Sequence, residues 1–354
     1  RYARYRGYSK HAPALPLYTV EDAEQSLALL RPIRAGESVE VTERVFLDFS
    51  RVGHILGAGS AALSFEVNGQ KRTLLDSGDL GRYNRPILKD PEPAGNADWL
   101  LIESTYGNRR HAKDSESELR ALIKETIAQR GCLIIPAFAV GRTQDLIYTI
   151  RKMEDSGEIP AIPVHVDSPM GIEATEIYCR HIDEHDFEMQ QLRNRESCPI
   201  NSRLMTVDKT PEQSKAINNL RGPLIIISAS GMATGGRVLH HLKHRLPNPE
   251  TTVLLAGYQA EGTRGRALQD GAREIKMLGE VVPVRAKIRV LDGFSAHADQ
   301  GEILRWLGTF KKPPRMTYVV HGEPPAANAL AVVIREDLQW KVEVPRHQQK
   351  VMLA

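Results

Sequence analysis

Several acid and imidazole side chains sit where chemistry, rather than packing, could use them. Asp79 lies in Leu74-Leu75-Asp76-Ser77-Gly78-Asp79-Leu80-Gly81. There an apolar run breaks into a turn flanked by glycines, which lets the backbone bend sharply and another segment approach. A carboxylate in that place either caps the next element or ligates a metal, and spacing alone favours the cap. His54 lies in the glycine-rich loop Gly53-His54-Ile55-Leu56-Gly57. A lone loop histidine usually does nothing. A histidine and an aspartate at two strand exits of one sheet can converge on a metal. Glu103 ends the apolar run from Trp99, and a charge closing a buried strand must be paired or placed for use. His297 and His321 follow two later apolar runs.

The elements that must position these groups fall into two styles. A helix over 19–30 has Thr19 as N-cap, Asp22 three residues on, and a stripe of Ala23, Leu27 and Leu30. Period-two runs at 39–41, 45–49, 62–67 and 71–75 predict an antiparallel meander, with a further strand ending at Glu103. From Asp114, expected to cap a helix carrying Leu119, Leu122, Ile123 and Ile127, strands alternate with helices. Strands are expected at 132–140, 162–167, 224–230 and 252–258, and helices at 171–184, 211–220 and 235–246. This order predicts a doubly wound parallel α/β sheet, which binds ligands at the carboxyl ends of its strands. The last part, from 287, is expected to return to the first style. It has a strand to Leu291, a helix carrying Ile303, Leu304 and Leu307, a strand ending at His321, a helix over 326–338 and a short strand.

Composition sets limits. The 354 residues fit one large or two medium domains, and a net charge of +3 neither requires nor excludes nucleic acid. Three cysteines, Cys132, Cys179 and Cys198, are far apart and form no CxxC, so neither a disulfide framework nor a cysteine zinc site is expected and a cytoplasmic location fits. No run is apolar enough to span a membrane. The start, 1–11, interleaves arginines with tyrosines; it either holds single-stranded nucleic acid or is solvated. The stretch Ser230–Arg237 passes through three glycines from strand to helix. It serves either phosphate binding or tight packing.

These pieces resemble a known family. Gly53-His54, Ser77-Gly78-Asp79, Glu103-Ser-Thr-Tyr-Gly107, Pro136-Ala-Phe-Ala-Val-Gly-Arg142, Asp167-Ser-Pro-Met170, Ser230-Gly-Met-Ala-Thr-Gly-Gly-Arg237, Ser295-Ala-His297 and His321-Gly-Glu323 occur in the order and approximate spacing of the beta-CASP branch of the metallo-β-lactamase superfamily. That branch includes ribonuclease J and the endonuclease of the mRNA cleavage and polyadenylation machinery. The resemblance implies a metallo-β-lactamase αββα sandwich, its first part missing here, with an inserted doubly wound beta-CASP domain. The expected division is 1–107 and 291–354 for the former and 108–290 for the latter.

The resemblance also implies roles. His54 and His321 would each ligate one of two Zn2+ ions, with Asp79 bridging them. Glu103 and His297 would form the general-acid pair that protonates the leaving oxygen, while a bridging hydroxide attacks the phosphodiester. RNA is the implied partner, because members acting on RNA carry histidine at position 321. Its phosphates are expected at Ser230, Gly231, Gly235, Gly236 and Arg237, and near Ser295 and His297. A homodimer stays open.

One departure is large: the family's His-x-His-x-Asp-His signature does not occur in the sequence. It is expected upstream of Arg1, together with the sandwich's first sheet. The short stretch after His321 is expected to leave no room for a further C-terminal domain. His181 and His185, read as two histidines of a charged helix, and His240, His241 and His244, read as structural or RNA-contacting, do not replace it. Two rival readings remain: an inactive RNA-binding or scaffold relative, and a small-molecule metallo-hydrolase of the same superfamily.

Overall fold

The computed structural model describes residues 15–34, 36–112, 114–193 and 198–353; the basic, tyrosine-rich start over 1–11 lies outside them. The first sheet has seven strands. β1 (Val39–Thr42), β2 (Val45–Arg51), β3 (Gly59–Val67) and β4 (Gln70–Asp76) form the antiparallel meander, followed by β5 (Trp99–Glu103). The second sheet has six parallel strands. They are β6 (Cys132–Pro136), β7 (Val164–Asp167), β8 (Met205–Val207), β9 (Leu224–Ser228), β10 (Thr251–Leu255) and β13 (Lys287–Val290), ordered β13-β10-β6-β9-β7-β8. Between its last two strands in sequence lies a hairpin of β11 (Glu274–Met277) and β12 (Glu280–Pro283). The chain then re-enters the first sheet with β14 (Met316–Val320) and β15 (Val342–Glu343). β14 lies directly beside β5, with Val320 opposite Glu103. The whole second sheet is thus inserted between two neighbouring strands of the first.

Alternation along the strands explains the cores. In the second sheet Leu133, Ile135, Ile225, Ile227 and Leu254 face one core with helices Ser115–Ala128, Arg142–Asp155 and Pro169–Arg180. The intervening Ile134, Ile226, Val253 and Leu255 face another with helices Val238–Arg245 and Arg264–Gln269 and with the hairpin. Each such fully buried side chain contributes about 1.5–3 kcal/mol. In the first sheet Leu75, Leu100, Ile102 and Val319 pack on Ile303, Trp306, Leu307, Leu330 and Ile334 of helices Gln300–Leu307 and Pro324–Asp337.

Local differences from expectation have physical causes. Thr19 caps helix Val20–Leu27 through a reciprocal capping box with Asp22, but no residue of that helix is buried; the cap, not the apolar stripe, defines it. Asp114 makes no side-chain capping bond. The strand at 132 stops at Pro136, and 137–141 leads into the helix as a loop. The helix expected from Gly235 begins only at Val238. Lys287–Val290 pairs with β10 and so completes the inserted sheet rather than returning to the first style. His181 and His185 are not on one helix: the helix ends at Arg180, and His185 is buried with Nε2 bonded to the Tyr178 carbonyl at 2.8 Å.

The cysteine reading is also corrected. Cys179 and Cys198 are disulfide-bonded with their Cα atoms 5.4 Å apart. Sequence separation gave no sign of it because the pairing is made by the fold, not by local pattern. No helix among the described residues is long and apolar enough to cross a membrane.

Candidate metal centre

Asp79, His54, His321 and Glu103 come to one place because strand exits of the first sheet do, and His297 joins them from the segment after β13 of the second. The turn after β4 carries Asp79. Ser77 N–H donates to the Leu101 carbonyl at 2.9 Å, and Gly78, at φ +55°, turns the chain outward. Gly81 then presses on the segment that carries His54. A Cβ at Gly81 would lie 2.1 Å from the Gly53 carbonyl carbon, and Gly81 N–H donates to the Val52 carbonyl at 2.7 Å. On the other side Ala298 N–H donates to the Leu80 carbonyl at 2.7 Å. The Asp79 turn is therefore clamped between the chains bearing His54 and His297. His321 follows β14 at φ +49°, with Gly322 packed on Ser104.

Each oxygen of Asp79 faces a different histidine. Oδ2 is 3.8 Å from His54 Nε2, and Oδ1 is 3.3 Å from His321 Nδ1. The His321 nitrogen also lies 3.3 Å from the Thr105 hydroxyl. Between the two imidazoles sits His297, its ring centre 4.4 Å from that of His54 and 5.8 Å from that of His321. Donor atoms of His54, Asp79 and His297 lie within 4.8 Å of one another, as do those of Glu103, His297 and His321.

Electrostatics separates the imidazoles. Burial, reinforced by His297, pushes His54 down to about 4, so at neutral pH it is the uncharged donor that a metal requires. Burial pulls His297 the same way, but the hydrogen bond and charge of Glu103 outweigh it and leave His297 above its ordinary value. Glu103 is buried at the end of β5. Its Oε1 accepts from His297 Nδ1 at 2.9 Å and from Leu80 N–H at 2.8 Å, and its Oε2 accepts from Thr105 N–H at 3.1 Å. A carboxylate so held fixes the ring, leaving Nε2 of His297 free toward the site.

The donor set fits zinc in kind: neutral imidazole and carboxylate. It is short in number for two ions, since a catalytic zinc takes about three protein ligands and the sequence contains no His-x-His-x-Asp-His.

The glycine loop at 230–237 is built differently. Ser230 Oγ accepts from Thr234 N–H at 3.1 Å and from Gly235 N–H at 3.4 Å. Gly231 packs on Phe138 and Gly236 on the Ala229 carbonyl. Arg237 is committed to Asp167 Oδ1 at 2.6 Å and to the Asp208 and Lys209 carbonyls. Asp167 also accepts from buried His241 at 2.6 Å, which makes His241 structural. Among the described residues no hydrogen bond or ion pair joins this loop to the five site residues. Ser295, two residues before His297, is buried beside the centre.

Sequence reading gave no role to His111. Its Nε2 bonds the His297 carbonyl at 2.9 Å, its backbone N–H donates to Asp299 at 2.8 Å, and its ring lies 4.6 Å from that of Tyr106. Burial pushes it down to about 4. It lies four residues beyond the Glu103–Gly107 motif, and only the fold brings it under His297.

Comparison with known proteins agrees with this architecture. Residues 143–268 match the Beta-Casp domain, and residues 281–345 match the Zn-dependent metallo-hydrolase RNA specificity domain. The chain is 35% identical over 321 residues to "Ribonuclease TTHA0252" of Thermus thermophilus, covering 90% of this chain and 72% of that protein. It is 33% identical to the "RNase J-like protein" of Methanocaldococcus jannaschii, covering 93% and 76%. It is 30% identical to the "Transcription termination factor FttA" of Methanosarcina mazei, of which it spans 52%. The inserted parallel sheet, the strand-exit centre and these matches together establish that the chain belongs to the beta-CASP family of the metallo-β-lactamase superfamily.

Proposed function

We propose that the protein is a zinc-dependent ribonuclease hydrolysing RNA phosphodiesters. The observation that carries this reading is the placement of the two Asp79 oxygens against two different histidines, with the Glu103–His297 pair between them. His54, Asp79 and His321 would hold the metal. Zinc, when bound, supplies a Lewis acid that neutralises phosphoryl charge and makes water a nucleophile at neutral pH. The chain's own residues do the rest. Glu103 Oε1 holds the proton of His297 Nδ1, and this keeps the imidazole protonated at Nε2. That Nε2 proton passes to the departing 3′ oxygen of the RNA. His111 anchors the His297 backbone.

Along the strand, we assign phosphate contact to Ser295 and to the backbone of Ser230, Gly231, Gly235 and Gly236. Arg237 holds that loop in shape through Asp167. We divide the chain into a metallo-β-lactamase part, 1–107 with 291–354, and a beta-CASP part, 108–290. The relatives named as a ribonuclease and as RNase J-like support RNA as substrate. The test is cleavage of a labelled single-stranded RNA by the intact protein with zinc. Cleavage abolished by chelator and restored by zinc is expected; persistence under chelation would sink the proposal.

A rival reading is an RNA-binding relative without catalysis. It predicts RNA binding with no stoichiometric zinc and no cleavage.

A further inference from the structure

A second set of buried polar groups lies against the metal centre, and apart from Ser295 the hydrolysis proposed above does not use it. Arg142 opens helix Arg142–Asp155 and is only 7% exposed. Its Nε is buried with no hydrogen-bond partner, and no group among the described residues accepts a hydrogen bond from its guanidinium. The carboxylate three residues on, Asp145, is already taken by Arg85 at 2.9 Å. Burying a guanidinium without an acceptor is costly, so a site that keeps one is built for an anion it does not itself contain.

The surroundings say where that anion sits. The guanidinium lies on Gly257, where an added Cβ would come within 2.6 Å of Nη1. Gly141, just before Arg142, packs on Ile55, the neighbour of His54. The Tyr106 hydroxyl and Ser295 Oγ are likewise buried without hydrogen-bond partners. Burial raises the Tyr106 hydroxyl and the Asp292 carboxylate adds to the rise, while the Ser295 hydroxyl, within reach of a weak hydrogen bond to it, and the charges of Arg142 and Arg109 oppose it. The Tyr106 ring rests on His111, which holds the His297 carbonyl, and Arg109 lies 4.7 Å over its face. The orphaned Nε of Arg142 and two buried hydroxyls with no partner beyond each other therefore cluster beside the general-acid histidine.

We infer that Arg142, with the hydroxyls of Tyr106 and Ser295, forms a pocket for a phosphate of the RNA strand adjoining the one to be cut. This rests on RNA being the ligand, as proposed above. A planar guanidinium with two flanking hydroxyls matches the non-bridging oxygens of a phosphodiester, and its fixed distance from His297 would set the register of the strand.

The test is binding of a fluorescein-labelled single-stranded RNA, followed by anisotropy in EDTA so that nothing is cut, across a salt series. R142Q is expected to weaken binding about tenfold and to make the slope of log affinity against log salt shallower by about 0.7, the share of one phosphate on a single strand. R142K should recover part of the affinity. Y106F, which keeps the ring packing and removes only the hydroxyl, should weaken binding about threefold with little change of slope, and it serves if R142Q does not fold. Unchanged affinity and slope in folded R142Q, or unchanged affinity in Y106F should R142Q not fold, overturn the pocket while leaving the ribonuclease proposal standing. RNA bound by the wild type, weakened in the variants as expected, yet never cleaved with zinc, overturns the ribonuclease proposal and leaves the pocket. A wild-type chain that does not bind RNA overturns both.

Discussion

Replacing Glu103 by glutamine isolates the charge that sets His297. The substitution keeps the shape of a side chain that is 2% exposed. One amide oxygen can still accept from His297 Nδ1 and Leu80 N–H, as Oε1 does at 2.9 and 2.8 Å. The amide nitrogen would then face Thr105 N–H, which now donates to Oε2 at 3.1 Å, setting donor against donor. Burial draws His297 down, and the hydrogen bond and charge of Glu103, helped by the charge of Asp79, reverse it. Without the charge, His297 falls below its ordinary value of about 6.5. Loss of a positioned general acid costs about 10²–10⁴ in rate, or roughly 3–5 kcal/mol of barrier.

The sign with pH follows. The protonated Nε2 is the active form, so activity falls as pH rises through the His297 pKa. That limb lies above about 6.5 in the wild type and below it in E103Q. The same raised pKa gives the wild-type fold stability that is full below about 6.5 and lost as pH rises through the folded value; E103Q lacks it. The assay is kcat/KM on a short RNA from pH 5 to 9, with urea unfolding alongside. An alkaline limb that stays in place in E103Q, or a wild-type rate at pH 8, would refute the general-acid pair.

Other outcomes follow from the same geometry. G81A drives a methyl into the Gly53 backbone, 2.1 Å away; it should cost about 1–3 kcal/mol of stability and weaken zinc binding at least tenfold, read by competition with a chromogenic chelator. H111F keeps a ring against Tyr106 but leaves the His297 carbonyl unpaired, costing about 1–3 kcal/mol at pH 7. Because His111 is held near 4 in the fold and near 6.5 when unfolded, the wild type should lose up to about 3 kcal/mol as pH falls from 6.5 to 4. In H111F that loss should shrink, as urea midpoints at pH 7 and 4.5 would reveal. Thiol counting in denaturant should find one free cysteine of the three before reduction and three after, with reduction costing about 3 kcal/mol for a loop of this size; three thiols without reductant would remove the bridge.

Much of the scaffold was legible. The period-two runs at 39–75 gave the meander because one face of each strand is buried. Strand–helix alternation after 114 gave the parallel sheet because its strands are covered on both sides. Glu103 announced itself as a charge ending a buried strand. What failed were features that local pattern does not encode. Gly235 and Gly236 looked like a helix start, yet Ser230 Oγ holds the Thr234 and Gly235 amides in a loop that ends only at Arg237. β8 and the β11–β12 hairpin are short and half exposed, so their periodicity is too brief to read. His111 and Arg142 matter through neighbours that are distant along the chain.

The central claim is that side chains of the first sheet's strand exits hold the metal that RNA cleavage needs. Zinc per chain, by plasma mass spectrometry, and cleavage of the same labelled RNA should be measured together on the intact wild type and on D79A. The account predicts that D79A loses bound zinc and that cleavage falls at least about a thousandfold with it. A D79A protein with undiminished zinc and wild-type cleavage would contradict it.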